Sequence, residues 1–205
     1  DDEEKKYDYY FRSLEMATLI DDKEGMSYNY NNIGHYYLEK EEYVKAIEYF
    51  ISKLNLEEKL DNKLQIGYSL DNLGHVYALM GKNVNNANYD KAIKYYNLAL
   101  NNLSEVGDRH RTVHALEQLG DMYKEIGDIK KSLEYYNREL QILEEIDYKS
   151  ELADCLKSIG NVYLDNNEND KALGYYNRAL AIFYALDDMH EIERLLPRIE
   201  QANSK

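Results

Sequence analysis

The sequence predicts an all-α solenoid built from antiparallel helix pairs. The main evidence is a signature that occurs four times in the 205 residues: Leu or Ile, then Gly, then Tyr three residues after the glycine. A small residue follows twelve positions after the glycine, or eighteen in the second copy, and an aromatic residue comes four positions later. Such self-similarity indicates units that bury their apolar faces against their neighbours. The glycine, small and aromatic residues of the four copies are Gly34, Ala46 and Phe50; Gly74, Ala92 and Tyr96; Gly120, Ser132 and Tyr136; and Gly160, Ala172 and Tyr176.

Composition supports this fold class and excludes several kinds of partner. A hydrophobic content of 44%, one proline and ten glycines favour long helices with an ample core. The formal net charge of −14 disfavours nucleic acid and anionic membranes as partners. The charge either keeps the protein soluble or attracts a basic partner. No apolar run approaches the roughly 18 residues of a membrane span. The single cysteine, Cys155, falls on the inner side of a predicted helix and fits a reducing compartment, so we expect a cytoplasmic protein.

The helices follow from apolar residues at positions i, i+3 and i+7, as at Tyr30, Ile33 and Tyr37. The first helix of each repeat, helix A, is predicted at 23–39, 63–80, 109–126 and 149–165. The second, helix B, is predicted at 43–60, 89–106, 129–146 and 169–186. The repeats span 23–62, 63–108, 109–148 and 149–188; residues 1–20 form helix B of a truncated repeat, and 189–205 hold a terminal helix. The sequence therefore predicts ten helices.

Capping and turn residues agree with these boundaries. We expect the side chains of Asp22, Asn62, Asp108 and Asp188 to cap helix N-termini. Gly81, Gly127 and Asn167 are expected in left-handed turns between helices A and B. The repeat glycines are expected where helix B crosses helix A, with the small residue of helix B as the opposing contact. Residues 83–88 are interpreted as an insertion in the second A-to-B turn, and Pro197 is expected to interrupt the terminal helix.

Leu/Ile-Gly-x-x-Tyr with Ala-x-x-x-Phe/Tyr resembles the tetratricopeptide repeat pattern over nearly the whole chain. The period here is 40 rather than 34 residues, and helix B lacks the terminal proline of that family. Forty-residue repeats with Asn-x-Gly-x-x-Tyr are similar to those of kinesin light chain and of bacterial quorum-sensing receptors that bind signalling peptides. The resemblance implies a right-handed superhelix that binds a protein or peptide. The residues that carry Asn-x-Gly-x-x-Tyr are Asn32, Gly34 and Tyr37, and Asn72, Gly74 and Tyr77.

The same resemblance implies that helix A lines a concave groove through the positions six, three and two before the glycine and one after it. Amide side chains at these positions suit the main chain of an extended peptide, because they donate and accept hydrogen bonds. The alternative interpretation is that these residues form a solvated helix face that binds no peptide. Several lining residues are acidic, so a neutral or basic peptide is expected. The candidate peptide-binding residues are Tyr28, Asn31, Asn32, His35, Tyr68, Asp71, Asn72, His75, His114, Glu117, Gln118, Asp121, Lys157 and Asn161.

No catalytic or metal motif emerges from the sequence. His35 and His75 share one repeat position, but stacked helices lie about 10 Å apart, too far for joint coordination of one metal ion. We therefore expect no enzyme activity, no cofactor and no metal.

The favoured function is a scaffold module that holds an extended neutral or basic peptide. One alternative is a regulatory sensor domain of a larger signalling protein, such as a kinase or transcription regulator. This fits the lack of an initiator methionine, from which we expect a longer natural chain. A further alternative is self-assembly through unpaired end helices or through a column of tyrosines on the B helices. That column consists of Tyr9, Tyr49, Tyr95, Tyr135 and Tyr175.

Overall fold

The computed structural model describes residues 2–84 and 87–204, with side chains from Tyr7 onward. Within these ranges there are ten helices and no strands, as the repeat pattern predicts. All helix boundaries agree with the predicted ones within one residue, except the end of the fourth helix. The helices are α1 Asp2–Leu19, α2 Lys23–Glu39, α3 Tyr43–Lys59, α4 Lys63–Asn83, α5 Asn88–Val106, α6 Arg109–Glu125, α7 Ile129–Glu145, α8 Lys149–Asp165, α9 Asn169–Ala185 and α10 Met189–Asn203.

The chain divides into two compact units, Asp1–Arg111 and Thr112–Lys205. In the first unit, each helix from α1 to α5 packs against the next one along the chain. In the second unit, α7 packs on α8, α8 on α9, and α9 on α10. Each unit is therefore a stack of sequential antiparallel helices. No helix in the described ranges is both long and apolar enough to cross a membrane.

The repeat glycines mark close helix crossings, as predicted, but the opposing side chain is different. A Cβ atom added at Gly34 would lie 2.6 Å from the ring of Phe50, and one at Gly120 would lie 2.6 Å from the ring of Tyr136. Gly74 and Gly160 meet Tyr96 and Tyr176 in the same way. Each glycine therefore makes room for the aromatic ring of its own repeat, and not for the small residue of helix B.

The predicted N-caps are all present. Carboxylate or amide oxygens of Asp22, Asn62, Asp108 and Asp188 each accept a hydrogen bond from the backbone N–H three residues later. These bonds satisfy helix N–H groups that have no partner within the helix.

The turn predictions are confirmed at two positions and wrong at one. Gly127 and Asn167 have left-handed backbones, with φ angles of 82° and 60°. Gly81, predicted in a turn, instead lies inside α4, and an added Cβ there would lie 2.3 Å from the ring of Tyr89.

The extra residues of the second repeat lengthen its helices more than its turn. α4 continues to Asn83 and α5 begins at Asn88, so both ends of the predicted insertion are helical. The amide of Asn83 donates a hydrogen bond of 2.9 Å to the hydroxyl of Tyr43, which anchors the extension to the first repeat. The middle of the insertion, Asn85 and Asn86, lies outside the described residues.

The terminal helix is not interrupted. α10 runs through Pro197 to Asn203, because buried Ile192, Leu195 and Ala202 hold it on both sides of the proline. Cys155 is buried in the core of the second unit, as expected.

The tyrosine column has a structural role within each repeat. Tyr49, Tyr95, Tyr135 and Tyr175 each stack on the tyrosine three residues after the repeat glycine, with ring centroids 5.3–5.6 Å apart. A lysine lies over that second ring in every repeat, 4.8–5.1 Å from its centroid. The lysines are Lys45, Lys91, Lys131 and Lys171. Each repeat thus joins its two helices by a stacked tyrosine pair with a cation above it.

Candidate functional site

The first unit contains a cavity of about 590 Å³ that opens among α2, α3, α4 and the first turn of α6. Its volume falls in the range of pockets that bind small molecules or peptide side chains. Five of the predicted site residues are among those that line it. The lining residues are Lys23, Glu24, Ser27, Tyr28, Asn31, His35, Lys53, Glu57, Leu60, Asn62, Gln65, Tyr68, Asn72 and Arg111.

Two amide side chains in the cavity wall are hydrogen-bonded to each other. Asn31 of α2 and Asn72 of α4 come from successive A helices, and the Asn72 amide donates a 3.0 Å hydrogen bond to Asn31 Oδ1. In the described part of the chain, this leaves the Asn31 amide N–H groups and the Asn72 carbonyl oxygen for a ligand. A donor and an acceptor side by side match the N–H and C=O groups of an extended peptide backbone.

Two charged residues of α3 contribute to the cavity, and sequence reasoning missed both. Lys53 is 4% exposed and Glu57 is 2% exposed. Glu57 accepts a hydrogen bond from the Ser27 hydroxyl, and Lys53 donates one of 3.5 Å to Asn31 Oδ1. Burial lowers the pKa of Lys53, and Glu57 opposes that shift. Helix B therefore supplies charge to a face that had been assigned to helix A alone.

A signal for Lys53 did exist in the sequence. Lys53 stands seven residues after the small residue of its helix, where the second and fourth repeats carry Ala99 and Ala179. Both alanines are fully buried, so the fold accepts a small apolar side chain at this position. A charged residue in such a register position indicates a purpose other than packing.

Arg111, the last residue of the first unit, closes one side of the cavity. Its guanidinium lies over the ring of Tyr68, 4.8 Å from the centroid, and 3.6 Å from a carboxylate oxygen of Asp71. The Tyr68 hydroxyl donates a 2.8 Å hydrogen bond to Asp108, which also caps α6. Stacking and capping together fix the position of the arginine, which sequence reasoning also missed.

His35 lines the cavity, but part of its environment is the core. Its ring meets the Phe50 ring edge-on at a centroid distance of 5.1 Å. Burial lowers the pKa of His35, and the nearby charges of His75, Lys53 and Arg111 lower it further. The Glu39 carboxylate opposes this shift, and the net lowering of the pKa favours the neutral imidazole.

Three predicted site residues of the first unit do not line the cavity. Asp71 is buried with a carboxylate oxygen 3.6 Å from the Arg111 guanidinium, while His75 is half-buried on α4. The side-chain nitrogen of Asn32 is buried and lacks a hydrogen-bond partner within the described residues. Asn32 and Asn72 share one repeat position, yet only Asn72 lies on the cavity wall.

In the second unit, the residues after the repeat glycines are held by core tyrosines. The Tyr136 hydroxyl donates a 2.5 Å hydrogen bond to Asp121, and the Tyr176 hydroxyl donates one of 2.9 Å to Asn161. Burial raises the pKa of the Tyr176 hydroxyl to about 12. These bonds orient two of the predicted site residues and partly account for their polarity.

The remaining predicted residues of the second unit lie on α6 and α8. Lys157 forms ion pairs with Asp154 and Glu191, which engage its ammonium group. Burial raises the pKa of Glu117, and the neighbouring carboxylate of Asp121 raises it further. His114 and Gln118 are half-buried on α6.

Glu139 of α7 is another buried ionisable residue that sequence reasoning missed. It occupies the same register position as Lys53, is 2% exposed, and has a carboxylate oxygen, Oε2, without a hydrogen-bond partner among the described residues. Burial raises its pKa to about 9, and Glu117 and Asp121 contribute to the rise. Among the described residues, no group of three or more histidine, cysteine or acidic side chains is placed to hold a metal ion.

Sequential antiparallel helix pairs, joined at a glycine and an aromatic ring, define a helical repeat protein. The sequence comparison gives the particular family: residues 85–145 and 127–185 match the tetratricopeptide repeat model. The chain belongs to the tetratricopeptide repeat family. The curated proteins gave no match to the sequence.

Solved structures share this fold at low sequence identity. BtubC (BKLC) from P. vanneervenii is 18% identical, with a TM-score of 0.74 over 98% of this chain and 91% of its own. The apo form of RapI is 19% identical, with a TM-score of 0.77 over 87% of this chain and 63% of its own. A Rap protein in complex with competence and sporulation factor is 15% identical, with a TM-score of 0.64 over 85% of this chain and 47% of its own. This chain thus spans less than two thirds of either Rap protein.

Proposed function

We propose that this protein is a non-catalytic module that binds an extended peptide, or a peptide-like segment of a protein, through its A helices. The observation that carries the proposal is the Asn31–Asn72 pair at the wall of the cavity in the first unit. The amide groups of this pair that have no partner among the described residues present a donor and an acceptor from adjacent repeats, in the manner that a peptide main chain requires. A Rap protein of similar fold has been solved with competence and sporulation factor bound, which supports a binding role.

We further propose that the A-helix face of the second unit favours neutral or basic peptide segments. Glu117, Asp121 and Asp154 lie on α6 and α8, and Lys157 is neutralised by two acidic partners. A segment with lysine or arginine would gain charge-assisted hydrogen bonds there, whereas an acidic one would be repelled. The net charge of −14 acts in the same direction at long range.

The test of the binding role starts from a library of displayed peptides selected on the complete protein. The affinity of a selected peptide is then measured for the wild type and for the double variant Asn31→Ala/Asn72→Ala. Two lost hydrogen bonds, each worth about 0.5–1.5 kcal/mol, should weaken binding roughly tenfold.

Asn102→Ala is the matched control for this test. Among the residues that the structure describes, the Asn102 amide bonds only to the Leu98 carbonyl of its own helix, and it is not among those that line the cavity. This variant should bind like the wild type. Equal affinities for the wild type and the double variant would place peptide binding elsewhere on the protein.

A second candidate function, self-association, is favoured by α1. Met16, Leu19 and Ile20 are exposed at the end of this helix, with 78% of Leu19 accessible. A group of neighbouring exposed apolar residues is typical of interaction surfaces. Sedimentation equilibrium over a range of concentrations should then show association that Leu19→Asp abolishes; a constant monomer mass would contradict this function.

A further inference from the structure

We propose that two helix turns of the second unit form a docking surface for a basic amphipathic helix of a partner protein. The turns are those that connect α7 to α8 and α9 to α10. The surface, called the turn patch below, consists of Tyr148, Tyr184, Leu186 and Met189. None of these residues lines the cavity of the first unit, and the inference goes beyond the proposed peptide-binding role.

The four large apolar side chains of the turn patch are exposed to solvent. The exposed fraction is 58% for Tyr184 and 54% for Met189, and it is 41% for Leu186 and 40% for Tyr148. Neighbouring exposed apolar residues mark interaction surfaces. Tyrosine and methionine are also among the residue types that are enriched in protein–protein interfaces.

Two ion pairs show that the helices on both sides of these turns are neighbours. Arg178 of α9 lies 2.8 Å from Glu144 at the end of α7. Lys157 of α8 pairs with Glu191 in the first turn of α10. Since α7 is next to α9 and α8 is next to α10, the two turns lie side by side at the same end of the unit.

Two residues of the turn patch depart from the repeat pattern of the chain itself. The position of Tyr184 is polar in the other repeats, and the position of Met189 is basic in all of them. Packing therefore accepts polar side chains at both positions, so exposed apolar ones indicate a purpose other than packing. The equivalent residues are Thr18, Glu58, Ser104 and Glu144 for Tyr184, and Lys23, Lys63, Arg109 and Lys149 for Met189.

Tyr148 stands where the other repeats have a helix cap. The side chain of Tyr148 forms no cap bond at the start of α8 within the described residues. Because a capping aspartate or asparagine stabilises a helix, α8 lacks a stabilising bond that the other repeats have. A role of the tyrosine in binding accounts for this exchange. The equivalent capping residues are Asp22, Asn62, Asp108 and Asp188.

The surroundings of the turn patch are acidic, which favours a basic partner. Residues 144–151 and 184–191 contain seven acidic residues and a single lysine, Lys149. Three of the acids have basic partners: Glu144 and Glu191 pair with other helices, and Asp147 lies 3.6 Å from Lys149. The segments remain negative when these pairs are counted. Lysine or arginine residues of a partner would therefore be attracted to this surface.

An amphipathic helix matches both the apolar and the acidic part of the surface. Successive repeats lie about 10 Å apart, and residues i and i+7 of an α-helix lie about 10.5 Å apart. A helix laid across the two turns would place an apolar residue on each turn and basic residues beside the carboxylates. Its basic groups could also lie over the rings of Tyr148 and Tyr184. A second copy of this chain would bring the same acidic residues and would be repelled.

The probe for this surface is a helical peptide of about 14 residues with leucines on one face and lysines on the other. One matched peptide has glutamate in place of each lysine, and another has the same residues scrambled so that no apolar face forms. The scrambled peptide measures the attraction of any cation to a protein with a net charge of −14. Fluorescence anisotropy gives the affinity of each peptide for the complete protein. We expect the lysine helix to bind roughly tenfold more tightly than either matched peptide, and equal affinities for the lysine helix and the scrambled peptide would overturn the proposal.

A triple variant gives three positions the types of residue that other repeats carry: Tyr148→Asp, Tyr184→Ser and Met189→Lys. The net charge does not change, and the aspartate can cap α8, so we expect the variant to melt no lower than the wild type. It should bind the lysine helix roughly tenfold more weakly. Val84→Ser removes an exposed apolar residue of the first unit and should leave binding unchanged. Equal affinities of the wild type and the triple variant would contradict the proposal.

The methyl signal of Met189 locates the probe without any variant. It should shift in the NMR spectrum of the wild type when the lysine helix is added, and a constant signal at saturation would show that the helix binds elsewhere. Asn31→Ala/Asn72→Ala should bind the lysine helix like the wild type. Loss of binding in this double variant, with the triple variant unaffected, would place the probe on the A helices and overturn the proposal.

Sedimentation equilibrium tests a second copy of the chain as the occupant. We expect the triple variant and the wild type to have the same average mass at every concentration. Association of the wild type that the triple variant abolishes, with equal affinities of both proteins for the lysine helix, would make the turn patch a contact between copies and overturn the proposal.

Discussion

One position in helix B carries an ionisable side chain in two repeats and an alanine in the other two. Seven residues after the small residue, the repeats carry Lys53, Ala99, Glu139 and Ala179, all of them buried. The two alanines show what packing requires. The lysine and the glutamate therefore carry a cost in desolvation that packing does not explain, and they give the two units buried ionisable groups, one basic and one acidic.

The raised pKa of Glu139 predicts how the stability of the protein depends on pH. Its folded-state pKa of about 9 exceeds the usual value for an unfolded chain, so the folded protein retains a proton that the unfolded chain loses as pH rises. The stability that depends on this proton is complete below the unfolded pKa and is lost progressively as pH rises to about 9.

Glu139→Gln keeps the shape of the side chain but cannot ionise. Its melting temperature should exceed that of the wild type at pH 8 and differ little from it at pH 4. Thermal unfolding followed by circular dichroism at both pH values provides the measurement. A constant difference between the two proteins at all pH values would show that Glu139 does not titrate in this way.

Alanine substitution should have opposite effects on stability at a repeat glycine and at a glycine outside the helix crossings. A Cβ at Gly120 would lie 2.6 Å from the buried Tyr136 ring, whereas one at Gly174 of α9 would have no atom within 4 Å. Gly120→Ala should destabilise the protein by about 1–3 kcal/mol, because the ring cannot move without disturbing the core. Gly174→Ala should instead stabilise it by up to about 1 kcal/mol through helix propensity. Chemical denaturation measures the free energy of unfolding of both variants, which should change in opposite directions. Equal changes would contradict the assignment of Gly120 to a helix crossing.

At the scale of elements, α4 shows how an insertion can be absorbed by helices. Gly81 occupies the register position at which Glu41, Gly127 and Asn167 adopt left-handed turns in the other repeats. In the second repeat this position remains helical, and its missing Cβ accommodates Tyr89. The sequence could not reveal this change, because glycine suits both a left-handed turn and a close helix contact.

Deletion of residues 83–88 would return the second repeat to the length of the others. Gly81 would then be free to adopt the left-handed turn, which glycine accepts without strain. We expect the deletion variant to fold, with a melting temperature within a few degrees of the wild type, and Gly81→Ala to be tolerated poorly in both proteins. Circular dichroism measures helicity and melting for all four chains. Loss of helicity in the deletion variant would show that the α4 extension is essential to the fold.

For the whole molecule, the sequence predicts the helices better than it predicts the site. Helix boundaries follow from a periodic pattern repeated four times, and the errors at Gly81 and Pro197 arise where one residue type permits two structures. The site is harder to predict than the helices, because residues at the same groove position in two repeats need not line the same cavity. Asn32 and Asn72 illustrate this, and Lys53 and Arg111 come from elements that the family pattern does not assign to binding.

The division into two compact units makes a prediction about unfolding. In repeat proteins, stability is close to a sum of terms within repeats and between nearest neighbours, so local damage need not unfold a distant repeat. Gly160→Leu should disrupt the contact of α8 with Tyr176, since even a Cβ there would lie 2.5 Å from the ring. Hydrogen exchange measured by mass spectrometry should then show loss of protection in α8, α9 and α10, with protection in α2, α3 and α4 preserved. Gly174→Ala, in the same unit, should leave protection unchanged throughout. Equal loss of protection in both units of Gly160→Leu would mean that the array unfolds as one cooperative body, and that the two units are compact without being energetically independent.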